Sequence, residues 1–155
     1  MTSKTQLQSK IKELESELQA FKEQLNNYKE VTLETAVLGD VLEDGSIVLK
    51  KENGLALLVA PASTEVECQW SKEFAEVFQK LQEEGFNSSQ WFIPTKEQLE
   101  LAYNYIPSHF STTFYWSSTV FNATDACGFL YTNGSVGCSP KASKFFVRAF
   151  RCVTY

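Results

Sequence analysis

The chain has one histidine and one methionine, the latter at position 1. His109 therefore has no second imidazole to share a metal with, and no recognisable nucleophile accompanies it; it reads as a surface or half-buried side chain. Asp125, Glu97 and Glu100 form no defensible carboxylate pair, so no catalytic residue and no enzymatic activity are expected. Long apolar runs are also missing. None reaches bilayer-spanning length, and residues 1–6 lack the apolar core of a secretion signal. The expectation is a soluble protein made in a cytoplasm, without membrane insertion. Basic residues are outnumbered, 14 against 19 acidic, for a net charge of −5. That balance argues against nucleic acid or an anionic membrane as the main partner. The four cysteines, Cys68, Cys127, Cys138 and Cys152, follow neither a CxxC nor a Cys/His zinc spacing. Free, partly buried thiols and no metal are expected, and a Cys127–Cys138 bridge would require maturation outside a reducing cytoplasm. No internal repeat or low-complexity tract is visible.

What is present begins with an apolar seam. Leu7, Ile11, Leu14, Leu18, Phe21, Leu25 and Tyr28 recur at alternating spacings of four and three, a heptad register. With Ile11, Leu18 and Leu25 at a and the others at d, the flanking pairs Lys10 with Glu15 and Glu17 with Lys22 are attractive between parallel copies. A helix packed on its own domain normally carries a wider stripe. Residues 1–30 are therefore expected to be a multimerising coiled coil, with 31–155 as one domain. Ile at a and Leu at d favour two strands, whereas aromatic d positions ask for a roomier core. A homotrimer is the expectation, with a dimer as the alternative.

After the helix, Ala36 to Leu42 shows a strand period, Asp44-Gly45 a tight turn, and Ile47-Val48-Leu49 a return strand. Asn53-Gly54 marks a further turn, and Leu55 to Ala60 is apolar enough for a central buried strand that Pro61 ends. Trp70 to Gly85 reads as a helix with Trp70, Phe74, Val77, Phe78 and Leu81 on one face. Thr95 with Gln98 three residues on predicts a capping box opening a second helix to about Tyr105. Short strands follow at Phe114–Ser118, Ala126–Thr132, Ser135–Ser139 and Phe145–Val153, with Asn133-Gly134 as the clearest hairpin signal. The fold class is α+β.

Four pieces in this order carry a resemblance. They are Gly54-Leu55-Ala56 with its buried strand, the Trp70 helix ending at Gly85, Trp91-Phe92-Ile93-Pro94-Thr95-Lys96-Glu97-Gln98-Leu99, and Tyr115-Trp116-Ser117-Ser118-Thr119 with Val147-Arg148-Ala149-Phe150-Arg151. From Leu38 to Tyr155 the chain resembles the C-type-lectin-like domains of unknown function that close collagen-like bacterial adhesins and occur in phage tail and fibre proteins. Their motifs read approximately W-R-L-P-T-x-x-E-L, Y-W-S-S-T and V-R-x-V-R. The resemblance implies a lectin-like domain with two helices, mixed and mostly antiparallel sheets, and long loops. Phe92 stands where that family usually has Arg, which puts a charged ligand site near the motif in doubt. The Glu-Pro-Asn and Trp-Asn-Asp calcium runs of true C-type lectins are absent, so neither calcium nor another cofactor is expected.

Within the motifs a scaffold role is expected. Trp91 and Trp116 should pack beneath a sheet with their N–H groups satisfied locally, Ser117, Ser118 and Thr119 should bond the loop backbone, and Arg148 and Arg151 should pair with buried carbonyls or carboxylates. A binding surface is expected from Tyr103, Tyr105, His109, Phe110, Phe121, Asn122, Asp125, Tyr131 and Asn133, since aromatic faces with amide neighbours suit a sugar or a protein epitope. The functional expectation is a phage fibre or spike protein located in the virion. It would attach through its N-terminus to other virion proteins and recognise a host-surface glycan or protein without catalysis. The alternatives are a decoration protein binding neighbouring virion subunits, or a bacterial adhesin.

Overall fold

The computed structural model describes residues 3–27 and 32–155. The chain divides into two compact units, Met1–Glu30 and Val31–Tyr155.

The first unit contains helix α1, Lys4–Asn27. Ser3 opens it with a reciprocal capping box: Gln6 N–H donates to Ser3 Oγ at 3.2 Å, and Ser3 N–H donates to Gln6 Oε1 at 2.9 Å. Leu7, Ile11, Leu14, Leu18, Phe21 and Leu25 are all exposed, by 51–72%. Tyr28, the last residue of the expected seam, lies outside the described residues. Lys10 pairs with Glu13 within the helix at 3.5 Å, an exposed contact that holds it weakly.

The second unit is α+β. Its strands are β1 (Ile47–Glu52), β2 (Leu55–Val59), β3 (Val66–Gln69), β4 (Phe114–Val120), β5 (Asp125–Leu130), β6 (Ser135–Pro140), β7 (Lys144–Val147) and β8 (Phe150–Thr154). Helices α2 (Phe74–Glu83) and α3 (Lys96–Tyr105) lie between β3 and β4 in sequence. One sheet has the order β1-β2-β8 and is antiparallel throughout. The other has the order β3-β7-β4-β5-β6, antiparallel except where β7 runs parallel to β4.

The alternation of β4 distributes the core. Tyr115 faces a cluster with Leu49 and Val59 of the small sheet, Leu99 and Ala102 of α3, Phe129 and Phe150. Its neighbours Phe114 and Trp116 face a second cluster with Val77 and Leu81 of α2, Trp91, Ala126 and Val147. Period-two side chains on a strand covered on both sides feed two cores at once. Ala36 with Leu33 and Leu42 covers the other face of the small sheet over Val48, Ala56 and Leu58.

Several sequence expectations are met and others are corrected. The Thr95–Gln98 capping box is present, and α3 ends at Tyr105. β2 is the central strand of its sheet. Asn53 and Gly54 both adopt positive φ, 52° and 76°, and close a two-residue hairpin between the paired Glu52 and Leu55. At Asn133-Gly134 the outcome is different: only Gly134 is left-handed, and residues 131–134 form a four-residue loop between the paired Leu130 and Ser135. Residues 36–42 form turns joined to β1 by the single Val41–Ile47 bridge, because Gly39 at φ 90° interrupts an extended path. Helix α2 starts only at Phe74, since Ser71 at φ 61° cannot continue a helix from Trp70. The run Phe145–Val153 is two strands in two sheets, with Arg148 and Ala149 making the crossover.

Candidate functional site

Eight of the nine expected binding residues separate into three groups, and His109 stands apart. Phe110 and Tyr131 belong to the core, exposed by only 7% and 5%. Their rings stack at a centroid distance of 4.8 Å with 7° between planes, and the Tyr131 hydroxyl donates to Leu99 C=O at 2.7 Å. Burial raises the Tyr131 pKa above its ordinary value. These two are corrected from ligand contacts to packing residues, because the 3-10 turn Pro107–His109 and the end of β5 deliver them inward.

Six others stand at opposite ends of the β4–β5 pair. Tyr103, Tyr105 and Asn133 belong to the end of α3 and the β5–β6 loop, where the Tyr103 ring lies against the Cβ position of Gly134. Phe121 and Asn122 belong to the β4–β5 loop, and Asp125 opens β5. Five residue steps of β5 separate the two ends, about 17 Å at strand rise. His109 is half-buried, and its carbonyl accepts from Arg148 Nη1.

The β4–β5 loop is a built structure. Asn122 Oδ1 accepts from Thr124 N–H at 2.9 Å, Thr124 Oγ1 at 3.1 Å and Asp125 N–H at 2.7 Å. Asp125 C=O in turn accepts from the N–H groups of Phe121 and Asn122 at 3.2 and 3.1 Å. Just after β6, Lys141 adds N–H to Thr124 C=O at 2.9 Å and Nζ to Ala123 C=O at 3.1 Å. On this frame Phe121 is 63% exposed and Val120 54%. A short polar side chain that occupies its own loop amides fixes the backbone before any ligand arrives. The result is an exposed aromatic ring on a loop whose backbone is held by its own hydrogen bonds.

Beneath the surface lies a polar node that the sequence reading did not find in full. Arg148, 1% exposed, donates from Nε to Ala60 C=O at 2.6 Å and from Nη1 to Glu65 Oε1 at 3.3 Å. Its guanidinium lies 4.6 Å from the Phe110 ring centroid. Tyr115 O–H donates to the same Glu65 oxygen at 2.6 Å and accepts from Ser111 N–H at 3.0 Å. Burial lowers the Arg148 pKa and Glu65 opposes that shift; burial, then the Glu65 bond, pushes Tyr115 up to about 12. A fully buried Tyr115 and Arg148 are closed to substrate, so this node braces the β7–β8 crossover against the β2 end and the His109 turn. Glu65 sits in a short connector with no periodicity, and nothing local in the sequence singles it out.

The motif residues divide similarly. Trp116 Nε1–H donates to Cys68 C=O at 3.0 Å, Ser117 Oγ to Cys127 C=O, and Lys96 N–H to Thr119 Oγ1 at 3.3 Å. Trp91 and Arg151 are corrections. The Trp91 indole N–H and Arg151 Nε are buried without an acceptor among the described residues, and the Arg151 guanidinium instead lies 6.0 Å from the Trp91 ring centroid.

A separate hollow of about 270 Å³ is walled by Leu55, Leu57 and Phe92, with Lys50, Glu52 and Gln98 also lining it. None of the nine expected residues lines it. Among the described residues, no group of three or more His, Cys, Asp or Glu side chains is placed to hold a metal ion, and no helix is long and apolar enough to cross a membrane. The chain matches no known family model and no curated protein.

Proposed function

We propose that the chain is a phage virion fibre or spike protein whose N-terminal helix multimerises it and whose second unit, a C-type-lectin-like head, recognises a host surface without catalysis. The observation that carries this reading is the seam of α1, six large apolar side chains in heptad register left 51–72% exposed. Most helical stability in proteins comes from packing an apolar face, and a two-per-heptad stripe on a 24-residue helix is the geometry of helix pairing between copies. The preformed Phe121 loop supports the recognition half. An aromatic face fixed in advance costs little entropy on binding, and three such heads on one stalk turn weak contacts into a durable attachment.

The test compares fluorescent full-length protein, the Leu14→Asp/Leu18→Asp variant and Phe121→Ala on a panel of bacterial cells. Strong binding by the parent, and a loss of about 10²-fold or more in the seam variant, is the expected result. Phe121→Ala should weaken binding while leaving the multimer intact. Absence of parental binding across cells that the source particle infects would contradict host recognition and leave a role in virion assembly.

A further inference from the structure

In the β5–β6 hairpin Cys127 and Cys138 stand directly opposite each other, and their Sγ atoms are 2.9 Å apart. Both are free thiols. The hydrogen bond from Lys141 N–H to Thr124 C=O sets the parity of the ladder. Counting inward by twos, Ala126–Ser139 and Gly128–Gly137 are hydrogen-bonded pairs, and Cys127–Cys138 is a non-hydrogen-bonded pair. Pro140, which has no N–H to give, faces Asp125 at another position of the same kind. Non-hydrogen-bonded partners have Cα atoms about 4.5 Å apart, within the disulfide range of about 4.4–6.8 Å. The backbone already has the spacing that the bond requires. The remaining cysteines do not share it: Cys68 faces Phe145 and Cys152 faces Leu57.

We infer that Cys127 and Cys138 are an oxidation site, a dithiol that a low-molecular-weight disulfide such as oxidised glutathione converts into a cross-strand disulfide. Access orders the steps, for Cys138 is exposed and Cys127 is buried. The Cys138 thiolate attacks one glutathione sulfur, the glutathione S–S bond breaks, and the leaving thiolate takes up a proton as free glutathione. Cys127 then loses its proton and attacks the Cys138 sulfur of the mixed disulfide, releasing the second glutathione thiol. Two cysteine thiols are oxidised and one glutathione disulfide is reduced to two thiols. Burial also raises the Cys127 pKa, in keeping with first attack by the exposed Cys138.

The bond has a structural consequence. β6 is the outer strand of its sheet, with β5 as its one strand neighbour. A link at its centre prevents the edge from peeling away. This chemistry stands whether or not the chain is a virion protein.

The full chain, reduced and desalted, is incubated with oxidised glutathione and analysed by peptide mapping without reduction, with thermal unfolding alongside. The expected product is a peptide pair joined through Cys127 and Cys138, lighter by about 2 Da than the two thiol peptides together. Its unfolding midpoint should rise, and reductant should reverse the rise. Cys127→Ser should stop at a stable glutathione adduct on Cys138, which shows the first step alone. Exposed Cys152 reports that the reagent is active. A persistent glutathione adduct on Cys138 in the parent chain, or an unreacted Cys138 beside a modified Cys152, would overturn the inference.

Discussion

Leucines have opposite fates in the two units. Leu49, Leu81 and Leu99 are fully buried in the sheet domain, whereas Leu14 and Leu18 on α1 are 51% and 54% exposed. Burying one such side chain is worth about 1.5–3 kcal/mol. The domain has used that free energy inside its own clusters; the helix seam has not, and the proposed function assigns it to pairing with other copies. One unit is thus specified by its interior and, on the proposed reading, the other by its copies, and perturbations should divide along the same line.

The largest effect on the domain should come from Arg148→Ala. It leaves the Glu65 carboxylate without its cation and two carbonyls without donors, so a loss of about 3–5 kcal/mol is expected in denaturant unfolding. Next is Gly128→Ala. A Cβ there would sit 2.2 Å from Tyr115 C=O and 2.5 Å from the Phe114 ring, and overpacking of this kind costs about 1–3 kcal/mol.

Alkaline pH should act on the same interior. The thiols of Cys127 and Cys68 are raised from 9.0 to about 11 and about 12, and Tyr115 from 10.0 to about 12, each mainly by burial. The unfolded chain therefore loses these protons first, and stability is kept below pH 9 and declines as pH rises from 9 to 12. Unfolding measured across this range should show the decline. Tyr115→Phe should make it shallower between pH 10 and 12, and an unchanged slope would remove Tyr115 from the account.

The smallest effects on the domain belong to exposed positions. Leu14→Asp/Leu18→Asp and Phe121→Ala should each shift domain unfolding by no more than about 0.5 kcal/mol. The first should abolish multimers in sedimentation, and the second should leave them unchanged. A substantial domain shift in the seam variant would mean that the two units are not energetically separate.

Elements governed by neighbours in sequence were legible. The α3 capping box needs only Thr95 and Gln98, and the Asn53-Gly54 hairpin needs only two residues able to take positive φ. Elements set by distant partners were not. Val66–Gln69 becomes β3 by pairing with β7, far along the chain, and four residues carry too little alternation to reveal it. No glycine or proline marks the Arg148–Ala149 crossover, so two strands read as one. Phe110 and Tyr131 show the same ambiguity at the candidate surface. An aromatic residue with polar neighbours has one appearance in sequence whether its ring faces ligand or core, and only the stacked pair beneath the sheet decides it. Phe121, beside the Asn122 frame of the β4–β5 loop, keeps its ring exposed instead.

Sedimentation equilibrium of the full chain beside a truncation starting at Val31 tests the division between the units most directly. The account predicts about three times the 17.5 kDa chain mass for the full protein and a monomeric truncation with an intact unfolding transition. A full-length monomer, or a truncation that still multimerises, would contradict it.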